Sequence, residues 1–205
     1  MEPAIRTFGL TKHYGSHRGI EDLDLEVRRG EVFGFLGPNG SGKTTTMRLL
    51  LDLLRPTRGR AEIFGLDTGH SSLEVRRRIG YVAGEVALFE SMKGRALVEL
   101  MGSFHGGHSR LVELADTLDL DVDRTIRAYS RGMKQKLAII LALAHDPDLL
   151  ILDEPTVGLD PLMQQRFYGL VAEERARGKT VFLSSHRPTE VEEIADRIGI
   201  VRDGF

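Results

Sequence analysis

A glycine-rich stretch in the first quarter of the chain carries the residues best suited to hold a polyphosphate. Residues 37–44 match the pattern G-x-x-x-x-G-K-[ST] at every position. In such a loop the glycines let backbone N–H groups converge on phosphate oxygens, and a following helix N-terminus adds partial positive charge. Lys43 is predicted to reach the β- and γ-phosphates, and the Thr44 hydroxyl to bind Mg²⁺. The stretch therefore predicts a nucleoside triphosphate site, whose cofactor-binding residues are Gly37, Pro38, Asn39, Gly40, Ser41, Gly42, Lys43, Thr44 and Thr45.

Two adjacent carboxylates follow an apolar run in the second half of the chain. Residues 149–152 are all apolar, and Asp153 and Glu154 come directly after them. A buried parallel strand delivers its C-terminal residues to the crevice where open α/β sheets bind ligands. An acidic pair after a strand is by itself a weak signal, because strands often end in Asp at a turn. Following a phosphate loop in this chain order, the pair predicts that Asp153 binds Mg²⁺ and that Glu154 polarises the attacking water.

The elements that position these residues are predicted from apolar periodicity. Residues 31–36, before the phosphate loop, favour a short buried strand. Residues 44–54, after it, have apolar side chains at i, i+3, i+4 and i+7 and favour a helix. Residues 23–27 alternate between apolar and charged side chains, which predicts one strand with a solvated face. Strand, loop and helix are the context in which the phosphate-loop pattern is specific.

The rest of the chain divides into strand-like and helix-like parts. Asp160, Pro161 and Gly178 are typical of the start and end of a helix between two buried strands. Residues 85–145 have helical periodicity and are predicted to be an insertion. We therefore predict a single domain over residues 1–205, with an α/β core in 1–84 and 146–205 and a helical subdomain in 85–145. Further strands are predicted at residues 61–64, 79–82, 149–152, 180–184 and 198–201.

Composition narrows the classes of protein that remain. The net charge of −2 and the even spread of basic residues predict no nucleic-acid partner. The chain contains no cysteine, which excludes disulfides, thiol catalysis and cysteine zinc sites. Its longest apolar run, residues 137–144, is far shorter than the ~20 residues that cross a bilayer. No secretion signal is visible at the N-terminus. We therefore expect a soluble intracellular protein that acts at a membrane only through a partner.

Four further motifs follow the expected order of one known family. They are Tyr14 in the segment Thr-Lys-His-Tyr-Gly, the segment Tyr-Ser-Arg-Gly-Met-Lys-Gln-Lys at 129–136, Gly-Leu-Asp at 158–160 and Ser-Ser-His at 184–186. With the phosphate loop and the acidic pair, they make nearly the whole chain resemble the nucleotide-binding domain of an ABC transporter. The resemblance implies an α/β fold: a P-loop NTPase core with a mainly parallel sheet, an antiparallel β subdomain and an inserted α-helical subdomain.

The same resemblance assigns roles to individual residues. Tyr14 matches the aromatic residue that stacks on adenine, and His186 matches the switch histidine of the family. Ser130 and Gly132 match the signature that faces the γ-phosphate held by a second subunit. The loop ending at Asp160 matches the one that crosses the dimer interface. The implied cofactors are ATP and Mg²⁺, and the implied partners are a second nucleotide-binding domain, in a homodimer, and integral membrane permease subunits.

Two positions depart from the family pattern. Arg131 and Met133 replace a glycine and a glutamine of the signature, a form that resembles the bacterial branch exporting drugs and antibiotics. After residues 79–82 the family normally has Pro-Gln, and this chain has Ala83 and Gly84. Gly84 has no side chain with which to contact Mg²⁺ or water. Glu85 is predicted to supply an oxygen in its place; the alternative is a solvated acid at a helix start.

These patterns predict the ATP-hydrolysing subunit of an exporter with separate membrane-spanning chains, held at the inner face of the cell membrane. Lys43 and His186 would neutralise the γ-phosphate, and Glu154 would orient or deprotonate water. A soluble ABC-type ATPase not coupled to transport is the alternative; translation factors of that type carry two such cores, and this chain has one. A non-hydrolysing ATP switch is a third class, against which Glu154 argues.

Overall fold

Strands and helices alternate along most of the chain in the computed structural model, which describes residues 2–104, 107–202 and 204. The strands are β1 (Ile5–Tyr14), β2 (His17–Leu23), β3 (Glu26–Val27), β4 (Val32–Leu36), β5 (Arg58–Ile63), β6 (Leu66–Asp67), β7 (Ile79–Val82), β8 (Leu149–Asp153), β9 (Thr180–Ser185) and β10 (Arg197–Ile200). The helices are α1 (Lys43–Leu50), α2 (Ser72–Arg77), α3 (Gly94–Ser103), α4 (Leu111–Thr117), α5 (Arg131–Leu143), α6 (Pro161–Ala176) and α7 (Pro188–Ile194), with a 3₁₀ turn at Ile126–Ala128.

A parallel sheet with the strand order β10-β4-β9-β8-β7 places the chemistry-bearing segments side by side. The three central strands β4, β9 and β8 are buried along nearly their whole length, as expected of a parallel sheet covered on both faces. Phe33, Phe35 and Phe182 pack in one hydrophobic cluster, while Val181 and Leu183 pack in the other. Since β4, β9 and β8 are neighbours, their carboxyl ends lie together at one edge of the sheet.

An antiparallel sheet has the order β2-β1-β5-β6, with β3 also paired to β1. The predicted fold class, an α/β P-loop core with an antiparallel β part and inserted helices, is confirmed. Helices α3, α4 and α5 lie between β7 and β8 in the chain, within the segment predicted to be helical. They share one hydrophobic cluster with the parallel sheet, so the proposed subdomain boundaries at 84 and 146 remain a prediction. Among the described residues, no helix has the length and apolar character that crossing a bilayer requires.

The helix after the phosphate loop is shorter than predicted. It ends at Leu50 and not at residue 54, because Asp52 adopts a left-handed backbone with φ of 55°. The N–H of Asp52 donates to the Leu49 carbonyl (3.1 Å), and that of Leu53 to the Arg48 carbonyl (2.8 Å). This is the hydrogen-bond pattern of a Schellman cap, which usually carries glycine where Asp52 stands. The apolar spacing continued past the true helix end because the residues beyond it are still packed on the core.

The predicted strand over residues 23–27 is also wrong as a single element. β2 ends at Leu23, and the two-residue β3 pairs separately with β1. Between them the Asp24 carboxylate accepts a hydrogen bond from the N–H of Gly9 at 2.7 Å, which interrupts the ladder. The alternation of burial was predicted correctly, whereas the continuity of the strand depended on this side-chain contact.

Candidate active site

The phosphate loop connects β4 to α1 through a backbone that only glycine adopts easily. Gly40 and Gly42 have φ of 81° and 104°, in the range that side chains disfavour. A Cβ on Gly42 would also lie 2.5 Å from the Ile20 side chain. The chain can therefore turn sharply into α1, which begins at Lys43. The Lys43 ammonium, almost fully buried, donates to the carbonyls of Gly37 (2.6 Å) and Pro38 (3.1 Å).

Asp153 lies at the carboxyl end of β8, buried beside the start of α1. Its Oδ2 accepts a hydrogen bond from the Thr44 hydroxyl at 2.7 Å, and its Oδ1 accepts one from the Ser184 hydroxyl at 2.6 Å. Ser184 is in reach because it lies opposite Asp153 in the parallel register of β8 and β9. The Ser184 oxygen in turn accepts the N–H of Glu154 at 3.0 Å. The sequence patterns did not assign Ser184 to the site, although its position near a strand end, two residues before His186, was a usable signal.

Glu154 lies between the lysine of the phosphate loop and the histidine at the end of β9. Its Oε1 is 3.4 Å from the Lys43 ammonium, and its Oε2 is 2.7 Å from Nδ1 of His186. The backbone of Glu154 is left-handed, with φ of 49°. Such a conformation is uncommon for a residue with a side chain and is often found at functional sites. The structure therefore brings together three residues predicted to act on the γ-phosphate.

Two buried oxygens near this cluster have no hydrogen-bond partner among the described residues: Oε1 of Glu154 and the hydroxyl of Ser41. Leaving a buried polar atom unsatisfied costs about 1–3 kcal/mol, so both atoms favour a bound polar ligand. The Thr44 hydroxyl and the Asp153 carboxylate offer the hard oxygen donors that Mg²⁺ prefers. The residues present thus fit Mg²⁺ with a polyphosphate, and Thr44 and Asp153 are the residues that would hold the metal.

A cavity of about 340 Å³ opens in front of the phosphate loop. Tyr14, at the end of β1, is on its wall and 46% exposed, with the Lys12 ammonium 5.5 Å from the centre of its ring. The cavity is therefore bounded by an aromatic face at one end and by phosphate-binding groups at the other. The lining residues are Tyr14, Arg18, Gly19, Asn39, Gly40, Gly42, Lys43, Thr44, Thr45 and Glu154. Arg18 and Gly19 were not predicted from the sequence, because only the pairing of β1 with β2 brings them here.

The predicted signature residues lie outside this cavity. Ser130 caps α5, its hydroxyl accepting the Met133 N–H at 3.2 Å, and Asp160 caps α6. Gly132 is so close to the neighbouring loop that a Cβ on it would lie 2.8 Å from the Gly158 carbonyl. Ser130 and Gly132 therefore lie at the start of α5 and Asp160 at the start of α6, and none of the three lines the cavity around Lys43 within one chain.

Glu85 is exposed, and it lines a different cavity together with Arg131, Lys134 and Gln135. Its neighbour Gly84 is the residue that approaches the metal-binding oxygens: a Cβ on Gly84 would lie 3.1 Å from Oδ2 of Asp153. The structure does not bring the Glu85 side chain into the lining of the phosphate cavity. Its assignment as a metal ligand remains a prediction from the sequence.

Known proteins resemble this chain along its whole length. The sequence profile of the family described as ABC transporter matches residues 20–157. The chain is 39% identical to the bacitracin transport ATP-binding protein BcrA of Bacillus licheniformis, covering 100% of this chain and 68% of that protein. It is 41% identical to the daunorubicin resistance ATP-binding protein DrrA3 of Streptomyces coeruleorubidus, covering 99% of this chain and 66% of that protein. The chain thus spans about two thirds of the length of these relatives.

Solved structures agree with this assignment. An ATP-binding subunit of an ABC transporter superposes with a TM-score of 0.92 at 29% identity, covering 98% of this chain and 87% of that chain. A bacterial ABC transporter cassette solved as a dimer superposes with a TM-score of 0.90 at 27% identity, covering 98% of this chain and 95% of that chain. The family profile, the relatives and the fold agree with the geometry around Lys43 and Glu154. The chain therefore belongs to the ABC transporter family as one of its ATP-binding cassettes.

Proposed function

We propose that this chain hydrolyses ATP to energise an exporter of drugs, antibiotics or other lipophilic compounds through separate membrane-spanning subunits. The observation that carries the proposal is the contact of Glu154 with both Lys43 and His186 at the mouth of the nucleotide cavity. A relative's cassette has been solved in a post-hydrolysis state with ADP and Pi, at 26% identity and a TM-score of 0.89. The names of the bacitracin and daunorubicin relatives support export.

Each residue of the cluster has a chemical task in this proposal. Lys43 binds the β- and γ-phosphates, exchanging its present carbonyl partners for phosphate oxygens. Thr44 and Asp153 would hold Mg²⁺, which would neutralise phosphate charge when bound. Glu154 orients or deprotonates the attacking water, and His186 keeps the Glu154 carboxylate in place and faces the γ-phosphate. Phosphoryl transfer depends mainly on positioning and charge stabilisation, so these groups supply the half of the site that binds the phosphates and activates water.

The proposed site is completed by a second copy of the chain. Ser130 and Gly132 lie at the N-terminus of α5, where free N–H groups and the helix dipole favour an anion. They do not line the Lys43 cavity of their own chain, so they are free to face the γ-phosphate bound by a partner. Two copies of the chain would then enclose two ATP molecules, in keeping with the dimeric cassette among its structural relatives.

A mixing experiment tests this shared site. Lys43→Ala and Ser130→Arg proteins should each be nearly inactive, because every site then lacks one half. In a mixed dimer one site combines the intact phosphate loop of the Ser130→Arg chain with the intact signature of the Lys43→Ala chain. ATP-dependent dimerisation, measured by light scattering, and part of the ATPase activity should therefore return on mixing. If neither returns, and the unmodified protein has turnover per chain independent of its concentration, the site lies within one chain.

Coupling to transport requires a surface for the membrane-spanning partner. A largely apolar groove of about 340 Å³ runs beside β7, the strand that leads to Gly84 and the Asp153 oxygens. Leu53 and Met101 are exposed on it. We propose that a loop of the membrane subunit occupies this groove and senses the nucleotide through the segment after β7. Met101→Glu should abolish co-purification with the membrane subunit while basal ATPase activity stays unchanged. A soluble ATPase without a transport partner would show no such co-purification in the unmodified protein.

A further inference from the structure

A third buried carboxylate lies behind the catalytic cluster and has no role in the mechanism above. Glu190, in the first turn of α7, is only 2% exposed. Its Oε1 accepts a hydrogen bond from the Thr156 hydroxyl at 2.6 Å, and its Oε2 accepts one from the Ser185 hydroxyl at 2.5 Å. Both donors are themselves buried, at 3% and 0% exposure. Both oxygens of the carboxylate thus accept hydrogen bonds from neutral hydroxyls.

The two hydroxyls belong to the two chain segments that carry the catalytic pair. Thr156 is two residues after Glu154, and Ser185 directly precedes His186. The Ser185 oxygen also accepts the N–H of Arg187 at 3.0 Å, which holds the turn on the far side of His186. Glu190 therefore joins the segment that carries Glu154 to the segment that carries His186, from the buried side of the site.

This connection matters because the catalytic contact is made across two separate loops. The 2.7 Å contact between Glu154 and His186 requires that both backbones be held in a fixed relation. Glu154 also has a left-handed backbone, which persists only where surrounding contacts hold it. The Ser184 hydroxyl fixes the N–H of Glu154, and the bond from Thr156 to Glu190 fixes the chain two residues later.

The same bridge reaches the surface proposed to meet a second copy. The buried Gln135, on α5, donates from its side-chain amide to the Pro155 carbonyl at 2.8 Å. Pro155 is the neighbour of Thr156, and α5 is the helix that Ser130 caps. A continuous series of contacts therefore leads from the signature helix through Thr156 and Glu190 to the loop of His186.

Stability alone does not account for a charge in this position. Burying a carboxylate is costly, and replacing buried ionic groups with apolar side chains is often neutral or stabilising. We propose that Glu190 is a positioning residue that aligns Glu154 with His186 and couples that alignment to the signature helix. The inference rests on the catalytic roles proposed above for Glu154 and His186.

Removal of single hydroxyls tests the bridge with little change in volume. Thr156→Val deletes the donor to Glu190 and should lower kcat for ATP hydrolysis about 10- to 100-fold, because small displacements of catalytic groups have effects of that size. The KM and Kd for ATP should change less than about twofold, since no phosphate-binding group is touched. Thr156→Ser keeps the hydroxyl and should restore kcat to within about threefold of the unmodified protein. Ser185→Ala and Glu190→Gln should lower kcat in the same way.

Glu174→Gln is the matched control, because Glu174 is also fully buried and hydrogen-bonded but belongs to an ion cluster away from the site. It should lower the unfolding temperature without lowering kcat in the folded protein. The inference is overturned if Thr156→Val, folded and dimerising with ATP, has kcat within about twofold of the unmodified protein while Glu154→Gln is inactive. If Glu154→Gln also keeps normal turnover, the proposed catalytic role of Glu154 fails first.

Discussion

Two clusters of carboxylates in this cassette are built on different principles. The first lies where α4 and the end of α5 meet α6, and its acids face guanidinium and ammonium groups. Glu174 contacts Arg110 at 2.5 Å and Arg177 at 3.1 Å, and Asp146 contacts Arg177 at 2.7 Å. The second lies at the nucleotide cavity, where Asp153 faces two hydroxyls and Glu154 faces one lysine and one histidine.

The difference between the clusters indicates that carboxylates fully paired with cations stabilise the fold. Carboxylates with an unfilled hydrogen-bonding position are instead available for catalysis. In the first cluster each carboxylate has a cation at ion-pair distance, so its charge is offset by the protein itself. In the second, Asp153 accepts hydrogen bonds from neutral hydroxyls, and Oε1 of Glu154 has the Lys43 ammonium at 3.4 Å but no hydrogen-bond partner among the described residues. The charge of Asp153 is therefore available for Mg²⁺, and the lone pairs of Oε1 of Glu154 are available for water next to the phosphate. Changes in the two clusters should therefore affect different measurements.

The largest effect is expected from Glu154→Gln. The amide keeps the shape of the side chain but cannot take a proton from water, and loss of a positioned general base typically costs ~10²–10⁴-fold in kcat. ATP binding should persist, and an ATP-held dimer should accumulate, visible by size-exclusion chromatography with ATP. Glu193→Gln, on the exposed face of α7, serves as a control with normal turnover. Unchanged turnover in Glu154→Gln would remove this residue from catalysis.

Glu174→Gln should produce the opposite pattern. Removing one charge from a buried pair leaves Arg110 and Arg177 under-compensated, and we expect a loss of about 3 kcal/mol in the free energy of unfolding. Urea denaturation followed by circular dichroism measures this loss. Glu113→Gln changes a half-exposed acid of the same cluster and should cost less than about 1 kcal/mol. A catalytic defect in folded Glu174→Gln would contradict the division into two clusters.

Asp146 adds a pH test of the first cluster. Its burial alone would raise its pKa, but Lys179 and Arg177 outweigh burial, and the pKa is lowered. A lowered pKa means that the carboxylate stabilises the fold above its unfolded pKa, and that this contribution is lost as pH falls through the folded value. Asp146→Asn keeps a residue that tolerates the left-handed backbone at φ of 57°.

We expect Asp146→Asn to cost less than about 1 kcal/mol at neutral pH, because the pair is half-exposed. The difference from the unmodified protein should stay constant down to about pH 4 and shrink below it, since an unfolded Asp titrates near there. Urea denaturation at a series of pH values measures both curves. A difference that grows on acidification would mean that the sign of the pKa shift is wrong.

The smallest effect is expected from Glu85→Ala. Glu85 is exposed and lines a cavity with Arg131 and Lys134, so its removal should change Mg²⁺-dependent turnover less than about threefold, as for other solvent-exposed charges. A larger loss, with normal folding, would instead support its sequence-based assignment as a metal ligand. Titration of turnover against Mg²⁺ concentration separates the two outcomes, because only loss of a metal ligand raises the Mg²⁺ requirement.

The family, the fold class and the local features of the site could be predicted from short sequence patterns. The phosphate loop, the buried strands and the caps at Ser130 and Asp160 are encoded in short patterns, because backbone conformation and capping depend on neighbouring residues. Each of these predictions has its counterpart in the structure. The roles assigned to individual residues are predictions that the experiments above address.

Contacts between residues far apart in the chain depend instead on the tertiary structure. The strand order β4-β9-β8 places Ser184 between Asp153 and the Glu154 N–H, and the pairing of β1 with β2 brings Arg18 to the nucleotide cavity. The tertiary structure also placed Glu85 away from Lys43. No short pattern encodes these outcomes, because they depend on register and packing between segments far apart in the chain. The bridge through Glu190 is of the same kind: Thr156 lies 34 residues before Glu190 and meets it only in the folded chain.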